Sequence, residues 1–259
     1  MKSTIFLMVL YGLISLSGCS IFSDPKDVAA RWTVQHLYSE AKEALEVGDY
    51  EAAIKYYEML EARFPFGKYA QQAQLDVVYA YFKYDEPESA MIAAGRFLKL
   101  YPRHPKVDYI YYLKGMVNFK KNRGGLDRFL PIDRSQRDQS TTLQAFQDFA
   151  ALLERFPNSI YSQDARLRMV YLRNMLAQYE VHVANYYMQR KAYLAAANRA
   201  KTVIESYQRT PAVPNALVIL AKSYKIMGLN DLSTNVLKVL QLNYPNYEGI
   251  EKVTNLVLK

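Results

Sequence analysis

The chain has 259 residues, a single cysteine and a formal net charge of +8. This length is sufficient for a substantial buried core. One cysteine excludes a disulfide within the chain, so packing alone must hold the fold. The excess of Lys and Arg predicts an acidic protein face or an anionic membrane surface as a partner, with a merely basic surface as the alternative.

The first 18 residues have the three parts of a secretory signal peptide. Lys2 supplies an early positive charge, residues 5–16 form an apolar run, and small residues follow it. The run is shorter than the ~20 residues that a membrane-spanning helix needs. The sequence therefore predicts export, and a nucleic acid partner is not expected outside the cytoplasm.

The single cysteine, Cys19, stands directly after this leader in the stretch LSGC. LSGC resembles the bacterial lipobox, in which the cysteine sulfur takes a diacylglycerol, the peptide is cut before the cysteine, and the new amine is acylated. Each buried CH₂ contributes about 0.8 kcal/mol to membrane binding, so several acyl chains anchor a protein firmly. A chance cysteine beside an ordinary cleavage site is the alternative. We expect acyl chains on Cys19 and no other cofactor.

The residue after Cys19 indicates whether the anchor lies in the inner or the outer membrane. Lipoproteins of this class that carry Asp at this position stay in the inner membrane, whereas this chain has Ser20. We therefore expect a lipid-anchored protein at the periplasmic face of the outer membrane, with residues 19–31 as the lipidated tether.

Prolines preceded by an aromatic residue recur along the chain. They are Pro65, Pro102, Pro157 and Pro245, with Pro211 after Thr210 as a weaker member. A period near 34 residues that ends in proline is typical of helical-hairpin repeats, and Gly48-Asp49 has the composition of the turn within the first hairpin. The sequence predicts an all-α superhelical solenoid of about five tetratricopeptide-like helical hairpins.

The third and fourth repeats are longer than the others. Helix A of repeat three is predicted near residues 108–119 and helix B near residues 140–155, and a long helix is predicted near residues 162–189. The predicted division is an N-terminal half at residues 32–120, an insertion at 121–139 and a C-terminal half at 140–259. Insertions of this kind usually fall on one face of a solenoid.

No pair of the three histidines has metal-ligand spacing on one helix, and no glycine-rich loop precedes a helix as a phosphate cradle does. A repeat protein without a convergent polar cluster lacks what a catalytic site requires. We therefore do not expect an enzyme.

Helix A positions of the first two repeats combine Tyr, Gln and Lys. Lys can meet a terminal carboxylate, Gln can bond to main-chain amides, and the rings can take aromatic side chains, so this mixture suits an extended peptide. An ordinary helix surface is the alternative. The candidate client-peptide groove consists of Tyr38, Lys42, Gln72, Tyr79 and Lys83.

The insertion contains the stretch DRSQRD at residues 133–138. Ordered arginines favour planar, bidentate recognition of carboxylates, although a loop whose charges satisfy one another is the alternative. The candidate partner-docking loop consists of Arg123, Arg128, Asp133, Arg134 and Arg137.

Four stretches carry a specific resemblance. They are RFPFGKYAQQAQLDVVYAYFK (residues 63–83), YPRHPKVDYIYYLKG (101–115), DRSQRD (133–138) and FPNSIYSQDA (156–165). Together with the lipobox and the five repeats, they resemble the BamD (ComL) family, the tetratricopeptide lipoproteins of the outer-membrane β-barrel assembly (BAM) machinery.

The resemblance implies a non-enzymatic scaffold that takes part in the assembly and insertion of outer-membrane β-barrel proteins. Its N-terminal repeats would receive the C-terminal targeting strands of unfolded client proteins, and its C-terminal repeats would dock the periplasmic domains of BamA. Other BAM lipoproteins would attach along the chain. The resemblance also implies a BamA contact at Arg199, on helix B of repeat four.

Two other classes of protein are alternatives. A tetratricopeptide lipoprotein that coordinates peptidoglycan synthesis or cell division would share the anchor and the repeats, but it would have no reason to carry PFGKYAQQ or DRSQRD. A cell-wall hydrolase would need a separate catalytic domain, and the repeats already occupy the chain after Trp32.

Overall fold

The computed structural model of the chain describes residues 29, 31–121 and 133–256. A short 3-10 helix spans Arg134–Gln136. No strand occurs among the described residues, which confirms the predicted all-α class. The helices are α1 (Val34–Val47), α2 (Tyr50–Arg63), α3 (Lys68–Tyr84), α4 (Pro87–Leu100), α5 (Val107–Lys121), α6 (Ser140–Arg155), α7 (Ser162–Gln189), α8 (Tyr193–Ser206), α9 (Val213–Ile226), α10 (Asn230–Asn243) and α11 (Gly249–Thr254).

The chain divides into two compact units, of which the first ends at Val77 and the second begins at Val78, within α3. The predicted leader, tether, insertion and halves stay predictions. Cys19 lies outside the described residues. Among the residues that are described, no helix is both long enough and apolar enough to cross a membrane.

In the first unit, α1 and α2 form a hairpin around a two-residue turn. Gly48 ends α1 with a φ of 86°, in the left-handed region that favours glycine. Asp49 caps α2 by accepting a hydrogen bond from the N–H of Ala52 at 3.0 Å. Ala41 and Ala53 are fully buried, and small residues allow helices to pack closely. The predicted turn therefore forms as expected.

In the second unit, neighbouring helices from α4 to α10 pack against one another in chain order. Helices α5 and α6 approach each other closely, because a Cβ atom added at Gly115 would stand 2.5 Å from the ring of Phe149. Phe149 is fully buried in a cluster with Leu152 and Leu172. This layer of large side chains holds the third and fourth repeats together.

The two longer repeats follow their predicted bounds closely. Helix α5 extends the prediction by one residue at its start and two at its end, while α6 and α7 begin and end where they were expected. The short helix α11 was not predicted, because six residues show too little periodicity. It places Val253 in a buried cluster with Val218 and Leu240.

Candidate functional site

The first unit contains three of the predicted groove residues, and two of them converge on Asp76. The hydroxyl of Tyr38 donates to Oδ2 of Asp76 at 3.0 Å, and Nε2 of Gln72 donates to Oδ1 at 2.8 Å. Asp76 is buried. A buried carboxylate needs such donors, so these side chains have a structural task in addition to any contact with a peptide.

Burial, together with the charge of Asp76, raises the pKa of the Tyr38 and Tyr57 hydroxyls far above the ordinary value. Both phenols therefore remain protonated donors at physiological pH. The sequence analysis did not identify Asp76 as part of this site. The signal that could have found it is the spacing of Gln72 and Asp76, since residues four apart are neighbours on a helix.

Among the groove residues of the first unit, Lys42 carries a positive charge on an exposed side chain. Its amino group lies 3.6 Å from Glu46, one helical turn later, and both side chains are well exposed. Such surface pairs contribute little to stability, so Lys42 can exchange Glu46 for another carboxylate. Gln72 keeps its amide oxygen to accept from a main-chain N–H, because its NH₂ group is committed to Asp76.

The second unit contains the other two groove residues, Tyr79 and Lys83, at the C-terminal end of α3. The Lys83 amino group lies 5.8 Å from the centre of the Tyr79 ring, within the range of a cation–π interaction. The rings of Tyr79 and Phe82 are 6.4 Å apart and tilted. This end of α3 therefore combines two aromatic rings with an exposed cation.

The described part of the candidate docking loop is fastened to α7 through Asp133. Its Oδ1 accepts from the backbone N–H of Ser135 at 3.0 Å and from the Ser135 hydroxyl at 2.6 Å. These hydrogen bonds lower the pKa of Asp133. Nε2 of His182 lies 3.0 Å from Oδ2 of Asp133 and 2.9 Å from Oγ of Ser135. Because Ser135 donates to Asp133, His182 is the donor in these contacts.

The other members of the loop are only partly described. Arg123 and Arg128 lie outside the described residues, and the side chain of Arg134 is not described. Arg137 is exposed, and its carbonyl oxygen accepts from the side-chain amide of Gln139 at 2.8 Å. Asp133 therefore positions the loop, while Arg137 is on its exposed side.

Arg199 extends from α8 back to α7. Its Nη1 lies 3.0 Å from Oε2 and 3.3 Å from Oε1 of Glu180. The hydrogen bond to Glu180 raises the pKa of Arg199. The Arg199 side chain is 43% exposed, compared with 14% for Glu180. Much of the guanidinium therefore remains accessible to a partner.

Arg199 and the docking loop border one open cavity of about 580 Å³. The sequence analysis treated them separately, and nothing in the sequence links residues so far apart. It also missed Glu180 and the anchoring role of His182. Tyrosine rings, amides and one arginine suit protein recognition more than covalent chemistry. The lining residues are Gln136, Tyr179, His182, Val183, Asn185, Tyr186, Tyr187, Gln189 and Arg199.

Among the described residues, no group of three His, Cys, Asp or Glu side chains is placed to hold a metal ion. The features that the structure does bring together are hydrogen-bonded carboxylates, exposed cations and aromatic rings. Side chains of these kinds can contact a polypeptide.

Similar proteins agree on the family. The YfiO family model, described as outer membrane lipoprotein, matches residues 31–240. The outer membrane protein assembly factor BamD of Neisseria gonorrhoeae is 44% identical over 244 residues, which cover 93% of this chain and 91% of that protein. BamD of Neisseria meningitidis serogroup B is 43% identical over the same shares, and BamD of Vibrio cholerae is 39% identical over 90% of this chain and 97% of that protein. The chain therefore belongs to the YfiO family of outer membrane lipoproteins.

Proposed function

We propose that the chain is a non-enzymatic lipoprotein scaffold of the BAM complex, which assembles and inserts β-barrel proteins into the outer membrane. One observation carries the proposal: relatives that align with nine-tenths of the chain bear the name outer membrane protein assembly factor. The acyl chains on Cys19 anchor the scaffold at the periplasmic face of the outer membrane. None of these relatives is named for peptidoglycan synthesis or cell division, so that alternative is not retained.

The client strand contacts the groove residues at the N-terminal end of the scaffold. Lys42 is well exposed and only weakly paired, so it meets a terminal carboxylate. Lys83 and the ring of Tyr79 offer a cation and an aromatic surface on α3. Extended peptides are held by main-chain hydrogen bonds, with side-chain pockets for specificity, and the amide oxygen of Gln72 serves the first purpose.

BamA docks at the cavity that Arg199 and the docking loop share. Arginine pairs with carboxylates through a planar fork of donors, and Arg199 holds Glu180 through Nη1 alone. Several N–H donors of its guanidinium therefore remain for an acidic side chain of BamA. Tyrosines around the cavity supply the aromatic contacts that are enriched in protein interfaces.

Affinity purification of the full-length protein from solubilised envelope tests this function. We expect BamA to co-purify with the wild type and to fall at least fivefold with Arg199→Glu. Glu180→Gln is the matched control, because it removes the internal ion pair and leaves Arg199 in place, so BamA recovery should stay the same or rise. Absence of BamA from the wild-type sample would contradict the function. Equal recovery with Arg199→Glu would contradict only the contact.

A further inference from the structure

The N-terminal part of α7 has an exposed apolar ridge outside the cavity. Leu167 is 67% exposed and Val170 is 60% exposed, and Tyr171 beside them is also exposed. Residues three and four apart lie on one helix face, so these three side chains form a continuous row. Single exposed apolar residues need no explanation, whereas a contiguous group marks an interaction site.

Two arginines border this ridge along one edge. Arg166 and Arg173 are seven residues apart and therefore lie on the same side of α7. One guanidinium nitrogen of each donates to a backbone carbonyl: Arg166 to Pro157 at 3.3 Å and Arg173 to Ser206 at 3.2 Å. Neither pairs with a carboxylate in the described part of the chain, whereas Arg168 nearby is paired with Asp164. Each of the two guanidinium groups is thus held in place by one hydrogen bond and keeps further N–H donors for a partner.

The opposite edge of the ridge packs inward. The Tyr171 ring makes an edge contact with Phe119 of α5 at 5.9 Å between centroids, and Arg168 lies over the same Phe119 ring at 4.7 Å. These contacts fix the ridge on one side and leave the arginine edge accessible. The surface is therefore a rigid apolar row with fixed positive charge along one border.

We infer that this ridge, formed by Leu167, Val170, Tyr171, Arg166 and Arg173, docks an acidic amphipathic helix of a partner protein. The charge of the border selects carboxylates. Seven residues of α-helix rise about 10.5 Å, so carboxylates seven residues apart on a partner helix match the two arginines. Apolar side chains between those carboxylates cover the row, as ridges pack into grooves between helices.

This surface is separate from the cavity of the proposed function. The first residue of α7 that lines the cavity is Tyr179, eight residues after Tyr171, or about 12 Å along the helix axis. A variant at Arg199 should therefore leave docking at the ridge unchanged. The inference adds a second partner surface to the scaffold.

Site-specific photocrosslinking in the intact envelope tests the inference on the full-length lipoprotein. A photoreactive amino acid replaces Leu167 or Val170, and Leu194 is the matched control because it is 65% exposed on α8 and outside the ridge. We expect a crosslink at the ridge at least fivefold above that at Leu194. Mass spectrometry of the crosslinked peptide should show a segment of another protein with apolar residues between two carboxylates seven residues apart.

Charge reversal then tests the pairing. Arg166→Glu with Arg173→Glu should lower the crosslink at least fivefold, and replacing the two partner carboxylates by Arg should restore it. Arg199→Glu should change it less than twofold. Thermal unfolding should be cooperative for every variant, which checks that each is folded, because these side chains are exposed or half-buried. Crosslinks to lipid, to a second copy of the chain, to its own residues 122–132 or to a segment without the carboxylates would overturn the inference, as would a yield equal to that at Leu194.

Discussion

The α5–α6 and α7–α8 interfaces each join a carboxylate on one helix to a cation on the other, but they differ in burial. In the first, Asp148 is 6% exposed, accepts from Nδ2 of Asn118 at 2.7 Å and lies 3.3 Å from Nζ of Lys114. In the second, Glu180 is 14% exposed and Arg199 is 43% exposed beside an open cavity. A buried ion pair, here called closed, stabilises the fold. A partly exposed ion pair beside a cavity, here called open, can exchange its partner.

The closed interface between α5 and α6 depends on the absence of a side chain at Gly115. A substitution there should therefore have the largest effect on the free energy of unfolding. Gly115→Ala would place a Cβ atom 2.5 Å from the buried Phe149 ring, and overpacking of this kind costs about 3 kcal/mol at the upper end of its usual range. Urea unfolding of the mature protein measures the decrease in the free energy of unfolding. Gly95→Ala is the control, because nothing lies within 4 Å of that position, and replacing an interior helical glycine should stabilise by about 0.5–1 kcal/mol. Equal effects of the two changes would show that the α5–α6 approach is not close.

The two carboxylates themselves provide the second test. Asp148→Ala should cost about 2 kcal/mol, because it leaves the buried Asn118 without its acceptor and Lys114 without its counter-charge. Glu180→Ala should cost less than about 1 kcal/mol, since the Arg199 side of the pair is partly solvated. Parallel urea titrations of the two variants measure the difference. A loss at Glu180 as large as that at Asp148 would mean that the second interface is closed as well.

The helices were predictable because local signals punctuate them. The Gly48-Asp49 turn and the aromatic-proline pairs mark where hairpins turn and repeats end, and these signals act over a few residues. The six-residue helix α11 had no such signal and was missed. The same local logic explains why the long helix α7 was expected, since no Gly or Pro interrupts residues 162–189.

The pairings at the candidate sites were not predictable in the same way. Glu180 and Arg199 are 19 residues apart, and His182 and Ser135 are 47 apart. Which of the exposed charges meet depends on the register between packed helices, and a single sequence does not determine that register. Pairings four residues apart on one helix, such as Gln72 with Asp76 and Lys42 with Glu46, were within reach of sequence reasoning.

The docking loop covers one edge of the open interface between α7 and α8. The Ser135 hydroxyl donates to Asp133 and meets His182, so Ser135→Ala should loosen the loop by about 1 kcal/mol. Amide hydrogen exchange should rise at residues 133–139, while exchange in α5 and α6 stays the same. Ser140→Ala is the control, since its hydroxyl also donates to a nearby carboxylate, Asp138, and the hydrogen bonds of the described residues do not join it to α7. An equal rise with both variants would contradict the anchoring role.

Acidification should act on the same anchor. The folded-state pKa of Asp133 is lowered by its hydrogen bonds from Ser135. The stability that ionised Asp133 gives to the loop is therefore fully present above the unfolded-state pKa of about 3.9. That contribution is lost as the pH falls through the lower folded-state pKa. Protection factors at residues 133–139, which compare each exchange rate with that of an unstructured amide at the same pH, should therefore fall on acidification, and Ser135→Ala should shift the onset to higher pH. An onset that is the same in both proteins would mean that Asp133 is not what fastens the loop to α7.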